Sequence, residues 1–379
     1  MKVFVVAGEA SGDRLGAALM AGLKSLTEVE FHGVGGARMQ AEGLHSLFPM
    51  EDLSVMGLAE ILPRYPQLRR RLDQTVAAVL DTAPDVLITI DSPDFCLRVA
   101  RKVKAARDLR IVHYVAPSVW AWRGGRAAKM AQVVDHVLAL LPFEPPYMEA
   151  AGMACDFVGH PVVAEPRPSD ADVAAFRARH GLTDRPLLMV LPGSRKGEVA
   201  RLAPVFGEVV HHVAAAHPDM RLVLPTTAHM APLVHEMVAD WAIAPLILAP
   251  DATDFTHQKA CAFHAADCAL AASGTVSLEL AAADTPMIIA YDMAWLSRVI
   301  IARMLKVDTL TLVNLVSGTR AVPEFIGRAC RAERIAPALL ALMEAPDAQR
   351  DAMRLTMQRL GRGGEAPGLR AARAVLARL

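Results

Sequence analysis

Short β-branched runs alternate with amphipathic stretches twice along this chain, and that repeated alternation limits its fold more than any other feature. In the first half the runs are "VFVVAG" (3–8), "DVLITID" (85–91), "RIVHYVAP" (110–117), "VDHVLALLPF" (134–143) and "CDFVGHP" (155–161). They are apolar almost throughout, as strands buried on both faces of a parallel sheet must be, and stretches such as "FCLRVARKVKAAR" between them have helical spacing. A polar, Pro-containing segment (163–186) comes next and reads as a linker. The alternation then resumes with "LLMVLPGSR" (187–195), "MRLVLPTT" (220–227), "PLILAP" (245–250), "CALAASGT" (268–275) and "MIIAYD" (287–292). With 379 residues, 53% of them hydrophobic, the chain is too long for one ordinary core. The expected class is α/β, with two Rossmann-like domains facing each other across a cleft: an N-terminal domain over 1–165, a C-terminal one over 166–345, and terminal helices over 346–379 packing back on the first.

Lys+Arg 40 against Asp+Glu 40 removes any global electrostatic case for nucleic acid, so affinity for anions must be local. The five cysteines are scattered, with no C-x-x-C and no zinc-like pairing with His, and read as reduced thiols of a cytoplasmic protein. No signal-peptide pattern follows Lys2. The longest apolar region, "CALAASGTVSLELAAADTPMIIAY", is broken by Glu279 and Asp284, and a spanning helix needs about 20 nearly charge-free residues. The chain is therefore expected to touch a membrane at most from one side.

The first turn, "GEASGD", carries Glu9, Ser11 and Asp13 where a dinucleotide-binding turn would carry G-x-G-x-x-G. Acids there repel phosphate, so nucleotide binding is expected in the second half. There, Pro192 and Gly193 end a strand, Ser194 can cap the next helix, and Arg195 stands at that helix's start, where exposed N–H groups and a guanidinium can grip a diphosphate together. A capped helix with a surface arginine would look the same. A second turn, Ser273-Gly274-Thr275, lets backbone approach a ligand, and Glu279 about one turn later can take both hydroxyls of a ribose or merely favour its own helix dipole. Taken together, the two turns predict a nucleotide-diphosphate site.

In the first half, Asp91 ends a buried apolar strand and is followed by Ser92-Pro93-Asp94, which makes it a candidate general base or a turn-capping residue. His160 in "GHP" is the alternative base, with a structural place the favoured reading. "HYVAPSVWAWRGGR" sets Trp120 and Trp122 beside Arg123 and Arg126, either as a packed loop or as a wall for sugar or acyl groups. The segment "LSVMGLAEILPRYPQLRRRL" (53–72) gathers Val55, Met56, Leu58, Ile61 and Leu62 and ends in Arg69, Arg70 and Arg71. Pro63 and Pro66 are expected to prevent one long helix. An apolar patch rimmed by cations suits an anionic bilayer surface; a core-facing helix with a solvated basic turn is the other reading.

The motifs "VAGEASGD", "DSPDF", "HYVAPSVWAWR", "LPFE", "GHP", "LPGSR", "ASGT…LE" and "NLV…VPEFI" resemble, in order and spacing, lipid A disaccharide synthase. The resemblance implies a GT-B glycosyltransferase. It would join UDP-2,3-diacylglucosamine to the 6-hydroxyl of 2,3-diacylglucosamine 1-phosphate, giving a β-1,6-linked disaccharide 1-phosphate and UDP, without a metal or other cofactor. By position it implies Asp91 as base, Arg195 on the diphosphate, and Ser194, Ser273, Gly274, Thr275 and Glu279 around the nucleotide. It further implies Asn314 and Glu324 in a cleft-lining loop; with nucleotide binding in the second domain, the first turn with Glu9 and Ser11 is free to contact neutral hydroxyls or to order the acceptor site. The family usually has Gln where Gly327 stands. The implied partners are the two acylated sugars and the cytoplasmic face of the inner membrane, which the protein meets peripherally; monomer and homodimer both stay open. A transferase acting on a peptidoglycan lipid precursor would share the nucleotide turns but not "HYVAPSVWAWR", and a non-enzymatic membrane-surface module would need neither turn.

Overall fold

The computed structural model describes residues 1–54, 58–122, 124–250, 254–293 and 307–379, with the backbone alone over 58–63. The first run of β-branched segments builds a parallel seven-stranded sheet: β1 (Lys2–Ala7), β2 (Glu30–Val34), β3 (His45–Ser46), β4 (Val86–Ile90), β5 (Arg110–Tyr114), β6 (His136–Ala139) and β7 (Ala154–Phe157). Their order is β3-β2-β1-β4-β5-β6-β7. The second run builds β8 (Leu187–Leu191), β9 (Arg221–Pro225), β10 (Leu246–Leu248), β11 (Cys268–Ala272), β12 (Met287–Tyr291) and β13 (Glu324–Ile326), ordered β10-β9-β8-β11-β12-β13. Every residue of β4, β8 and β11 is buried, which is what continuous apolar runs in the middle of a parallel sheet require. In each sheet the strand order reverses direction once, between β1 and β4 and between β8 and β11. Ligands of such sheets bind outside the carboxyl ends of the strands at that reversal.

The chain divides into two compact units, Met1–Ala164 with Leu360–Leu379, and Glu165–Arg359. The division corrects two expectations. The segment read as a linker contains a helix, Asp170–Arg179, whose start is fixed by a capping box between Ser169 and Asp172 and whose Phe176 is buried. The terminal segment splits at Leu360. The helix Asp347–Arg359 stays with the second unit because its polar side chains bond that unit's backbone: Gln349 Nε2 donates to the Met287 carbonyl at 3.0 Å, and Arg359 to the Val316 carbonyl at 2.7 Å. Only the helix Pro367–Leu376 joins the first unit, packing on the helix Ala10–Leu26. Glycines make that crossing a backbone contact: a Cβ on Gly22 would stand 2.7 Å from the Gly368 carbonyl oxygen, and one on Gly368 2.5 Å from that of Ala18.

A third correction concerns Pro63 and Pro66. One helix, Leu58–Thr82, runs through both. Each proline removes an i→i−4 hydrogen bond without ending the helix, whose later turns bury Thr75 and Val79 in the first unit. All five cysteines are buried and free. Among the described residues no helix is long and apolar enough to cross a membrane.

Candidate active site

In the first unit the turn after β1 and the turn after β4 lie side by side, because β1 and β4 pair in register up to Ala7 and Ile90. A Cβ on Gly8 would meet Ser92 Oγ at 2.5 Å, so the Gly8–Ser11 turn closes against the Asp91–Ser92 turn. Glu9 takes the N-cap position of the helix Ala10–Leu26 and is half-buried; Ser11 is exposed. Asp13 goes elsewhere. Its buried carboxylate accepts the backbone N–H groups of Gly36, Arg38 and Met39 at 2.9, 3.0 and 3.0 Å, capping the helix Ala37–Ala41 from outside. This acid of the first turn is thus a structural anchor.

Asp91 and Ser92 both have left-handed backbone, φ +50° and +43°, and the β-branched Val115 just beyond β5 has φ +89°. Such conformations cost about 1–3 kcal/mol each and collect at functional sites. Burial pushes the Asp91 carboxyl above the ordinary range, partly offset by a hydrogen bond from the Ser92 N–H. A carboxylate so raised is a stronger base than a solvated one. His160 is a poor rival: burial and the charge of Arg14 push it down to about 4, and its Nδ1 accepts the Val162 N–H at 3.2 Å.

The Trp loop is a packed element. Trp120 is buried, edge-on to Phe143 at 5.2 Å, and donates Nε1–H to Glu144 at 3.4 Å. Glu144 also accepts the Leu141 N–H at 3.0 Å, and burial pushes its carboxyl up to about 7. Trp122 is half-buried with Arg126 5.6 Å from its ring, and Arg123 lies outside the described residues.

In the second unit the carboxyl ends of β8, β9, β10 and β11 surround one pocket of about 500 Å³. The two turns singled out in the sequence both open onto it, at the β8–β11 reversal. Gly193, φ +114°, lets the chain leave β8; Arg195 is the N-cap of the helix Lys196–Ala216 with extended backbone, and its side chain is about two thirds exposed. Ser273, Gly274 and Thr275 lead into the helix Val276–Ala282, and a Cβ on Gly274 would meet nothing within 4 Å.

Four polar residues of this pocket escaped the sequence reading. Glu198 Oε2 accepts the Ser194 N–H and its Oε1 lies near the Arg195 guanidinium, both at 3.3 Å. Its three-residue spacing from the N-cap was the signal that could have found it. Lys259, on the helix Phe255–Ala265, pairs with Glu279 at 2.7 Å; nothing in the sequence joins two residues 20 positions apart. Thr226 and Thr227, just past β9, line the same pocket.

Asn314 and Glu324 both bond to backbone close by in the chain. Asn314 is buried; its Nδ2 donates to the Val322 carbonyl at 2.9 Å and its Oδ1 accepts the Val322 N–H at 3.0 Å. Glu324 accepts the N–H groups of Leu310 and Thr311 at 2.9 and 2.7 Å, the two residues that lead into the helix Leu312–Ser317. Both therefore knit their own loop together. Gly327 has φ +62°, a conformation that suits glycine and strains glutamine.

Of the residues read as a membrane face, Met56 lies outside the described residues, as do the side chains of Leu58, Ile61 and Leu62. Arg69 and Arg70 are exposed. Arg71 is turned inward, its guanidinium 2.7 Å from Asp52 and 4.5 Å from the centre of the Phe48 ring. Among the described residues no group of three or more His, Cys, Asp or Glu gathers as metal ligands would.

Solved structures share this fold. The UDP-GlcNAc 2-epimerase of Neisseria meningitidis, bound to UDP-GlcNAc, superposes with a TM-score of 0.63 at 12% identity over 100% of this chain and 99% of its own. A glycosyltransferase of Rickettsia africae gives 0.61 at 10% identity over 99% and 97%. Such likeness shows the fold alone: two parallel-sheet α/β domains of the GT-B type. The lipid-A-disaccharide synthase of Ruegeria pomeroyi is 62% identical over all of this chain and 96% of its own length. That of Rhodospirillum centenum is 48% identical over 99% and 94%. The family model described as lipid-A-disaccharide synthetase matches residues 3–373, and the chain belongs to the lipid-A-disaccharide synthase family.

Proposed function

We propose that this chain transfers a 2,3-diacylglucosamine unit from UDP to the 6-hydroxyl of 2,3-diacylglucosamine 1-phosphate with inversion at the anomeric carbon, and that Asp91 is the base. The family makes it a UDP-sugar-dependent glycosyltransferase of lipid A disaccharide formation. The observation that carries the assignment of the site is that the turns at 193–195 and 273–275, separate in sequence, open onto one pocket. Arg195 and the start of the Lys196–Ala216 helix present positive charge to a diphosphate both before and as it departs as UDP. The acceptor hydroxyl is a weak nucleophile until its proton is being removed, and Asp91, raised by burial, is suited to take it. Glu9 and Ser11, beside Asp91, are assigned to the acceptor sugar. No metal is assigned to the step.

Both substrates carry acyl chains that must stay in lipid while the sugars react. We therefore place the first unit at the cytoplasmic face of the inner membrane, with Arg69 and Arg70 meeting lipid phosphates and Tyr65, 51% exposed on the same helix, entering the interface. The test of the reaction is UDP release from UDP-2,3-diacylglucosamine with and without the monosaccharide phosphate. Release that does not depend on the acceptor would sink the transferase reading.

A further inference from the structure

Among the described residues, the charged side chains lining the pocket are Arg195, Lys259, Glu198 and Glu279. Each cation is matched with one acid: Arg195 with Glu198 at 3.3 Å and Lys259 with Glu279 at 2.7 Å. The charges of these four therefore sum to zero. A diphosphate entering such a pocket brings its charge close to two carboxylates, and its binding depends on how well each carboxylate stays neutralised.

Lys259 is built for that task at Glu279. Its Nζ stands 5.1 Å from the centre of the Phe263 ring, one turn further along the same helix, so the ammonium is held between an aromatic face and the carboxylate. It occupies Glu279 Oε2 and leaves Oε1 free to accept hydrogen bonds. Side-chain exposures of 36% for Lys259 and 43% for Glu279 keep the pair within reach of a ligand.

We infer that Lys259 is a positioning residue of the donor site: it neutralises Glu279 and fixes its orientation, so that this carboxylate accepts from the vicinal hydroxyls of the nucleoside without repelling the diphosphate beside it. The inference rests on the pocket being the UDP site, and Lys259 acts through Glu279 rather than on the phosphates.

The experiment is calorimetric titration of UDP into the full chain, as wild type, Lys259→Met, Glu279→Gln and the double variant. Each single substitution is expected to weaken UDP binding about three- to tenfold, and the double variant to bind no more weakly than Glu279→Gln alone, the non-additivity of residues acting as a unit. In turnover, Lys259→Met should raise the donor KM by the same factor while kcat and the acceptor KM stay put. Lys259→Arg, which keeps the charge, should restore affinity. A Lys259→Met chain that binds UDP like wild type overturns the inference, as does a double variant whose loss is the product of the two single losses. Failure of the wild-type chain to bind UDP would instead remove the nucleotide reading of the pocket, and this inference with it.

Discussion

The Asp91 N–H donates to the Tyr114 carbonyl at 3.0 Å, continuing the β4–β5 ladder one residue past β4, while Asp91's own φ of +50° already takes the chain out of the strand. The residue is thus tied to the sheet and strained at once. Asparagine tolerates left-handed backbone as well as aspartate does. Asp91→Asn should then keep the fold and UDP binding and slow transfer by about 10²–10⁴. Because burial raises this carboxyl, its base form appears only as pH rises through that raised value. The acid limb of kcat against pH should sit above the ordinary carboxylate range and vanish in the variant. Near-wild-type transfer by Asp91→Asn would move the base elsewhere.

Arg195 is largely exposed, and its partner Glu198 also accepts the Ser194 N–H, so removing the guanidinium costs the fold little. Arg195→Ala should unfold like wild type yet lose roughly 1.5–3 kcal/mol of UDP affinity, the range for a charged hydrogen bond. Equal UDP titration curves for the two chains would place the diphosphate at other residues.

Asn314 makes the opposite prediction. Truncation to alanine leaves the Val322 N–H and carbonyl unpaired in a buried loop, at about 1–3 kcal/mol for each group. Denaturant midpoints should fall, while the substrate KM values of the remaining folded enzyme hold. Raised KM with unchanged stability would return Asn314 to the substrate site.

Glu144 couples the first unit's stability to pH. Its carboxyl ordinarily titrates near 4.5 and is pushed up to about 7 by burial. Between those values the folded chain holds a proton that the unfolded chain has lost, so this residue's contribution to stability falls as pH rises from about 4.5 to about 7. Glu144→Gln cannot titrate and should flatten that decline in melting temperature. A variant whose melting temperature tracks wild type across the range would show that Glu144 is not the group responsible.

At the membrane, Arg69→Glu with Arg70→Glu should lower sedimentation with anionic phospholipid vesicles and leave melting unchanged, since both side chains are exposed. Arg71→Ala should do the reverse, destabilising the Asp52 contact with little effect on vesicle binding. Unchanged sedimentation of the double variant would remove these arginines from the docking face.

The parts of the fold legible in the sequence were those encoded locally. Continuous apolar runs gave the buried strands β4, β8 and β11, and the turns at Arg195 and Ser273 announced themselves by small residues after a strand. β2, with Glu30 and His32 among its five residues, and the two-residue β3 carry no such run and went unread. Side-chain roles that depend on distant backbone were illegible. Asp13 caps a helix more than 20 residues away, and Asn314 and Glu324 bond their own loop, which spacing cannot reveal. The Lys259–Glu279 pair belongs to the same class, a meeting of two helices that only tertiary structure brings about.

The last twenty residues, Leu360–Leu379, belong to the unit that residue 1 begins, and they dock there through the Gly22–Gly368 contact. The second unit is consequently an uninterrupted piece of chain, finished while its neighbour still lacks a helix. On the ribosome one side of Ala10–Leu26 stays uncovered until Pro367–Leu376 has emerged. A stop codon anywhere between the end of the second unit and Pro367 would therefore damage the unit begun first and spare the one begun after it.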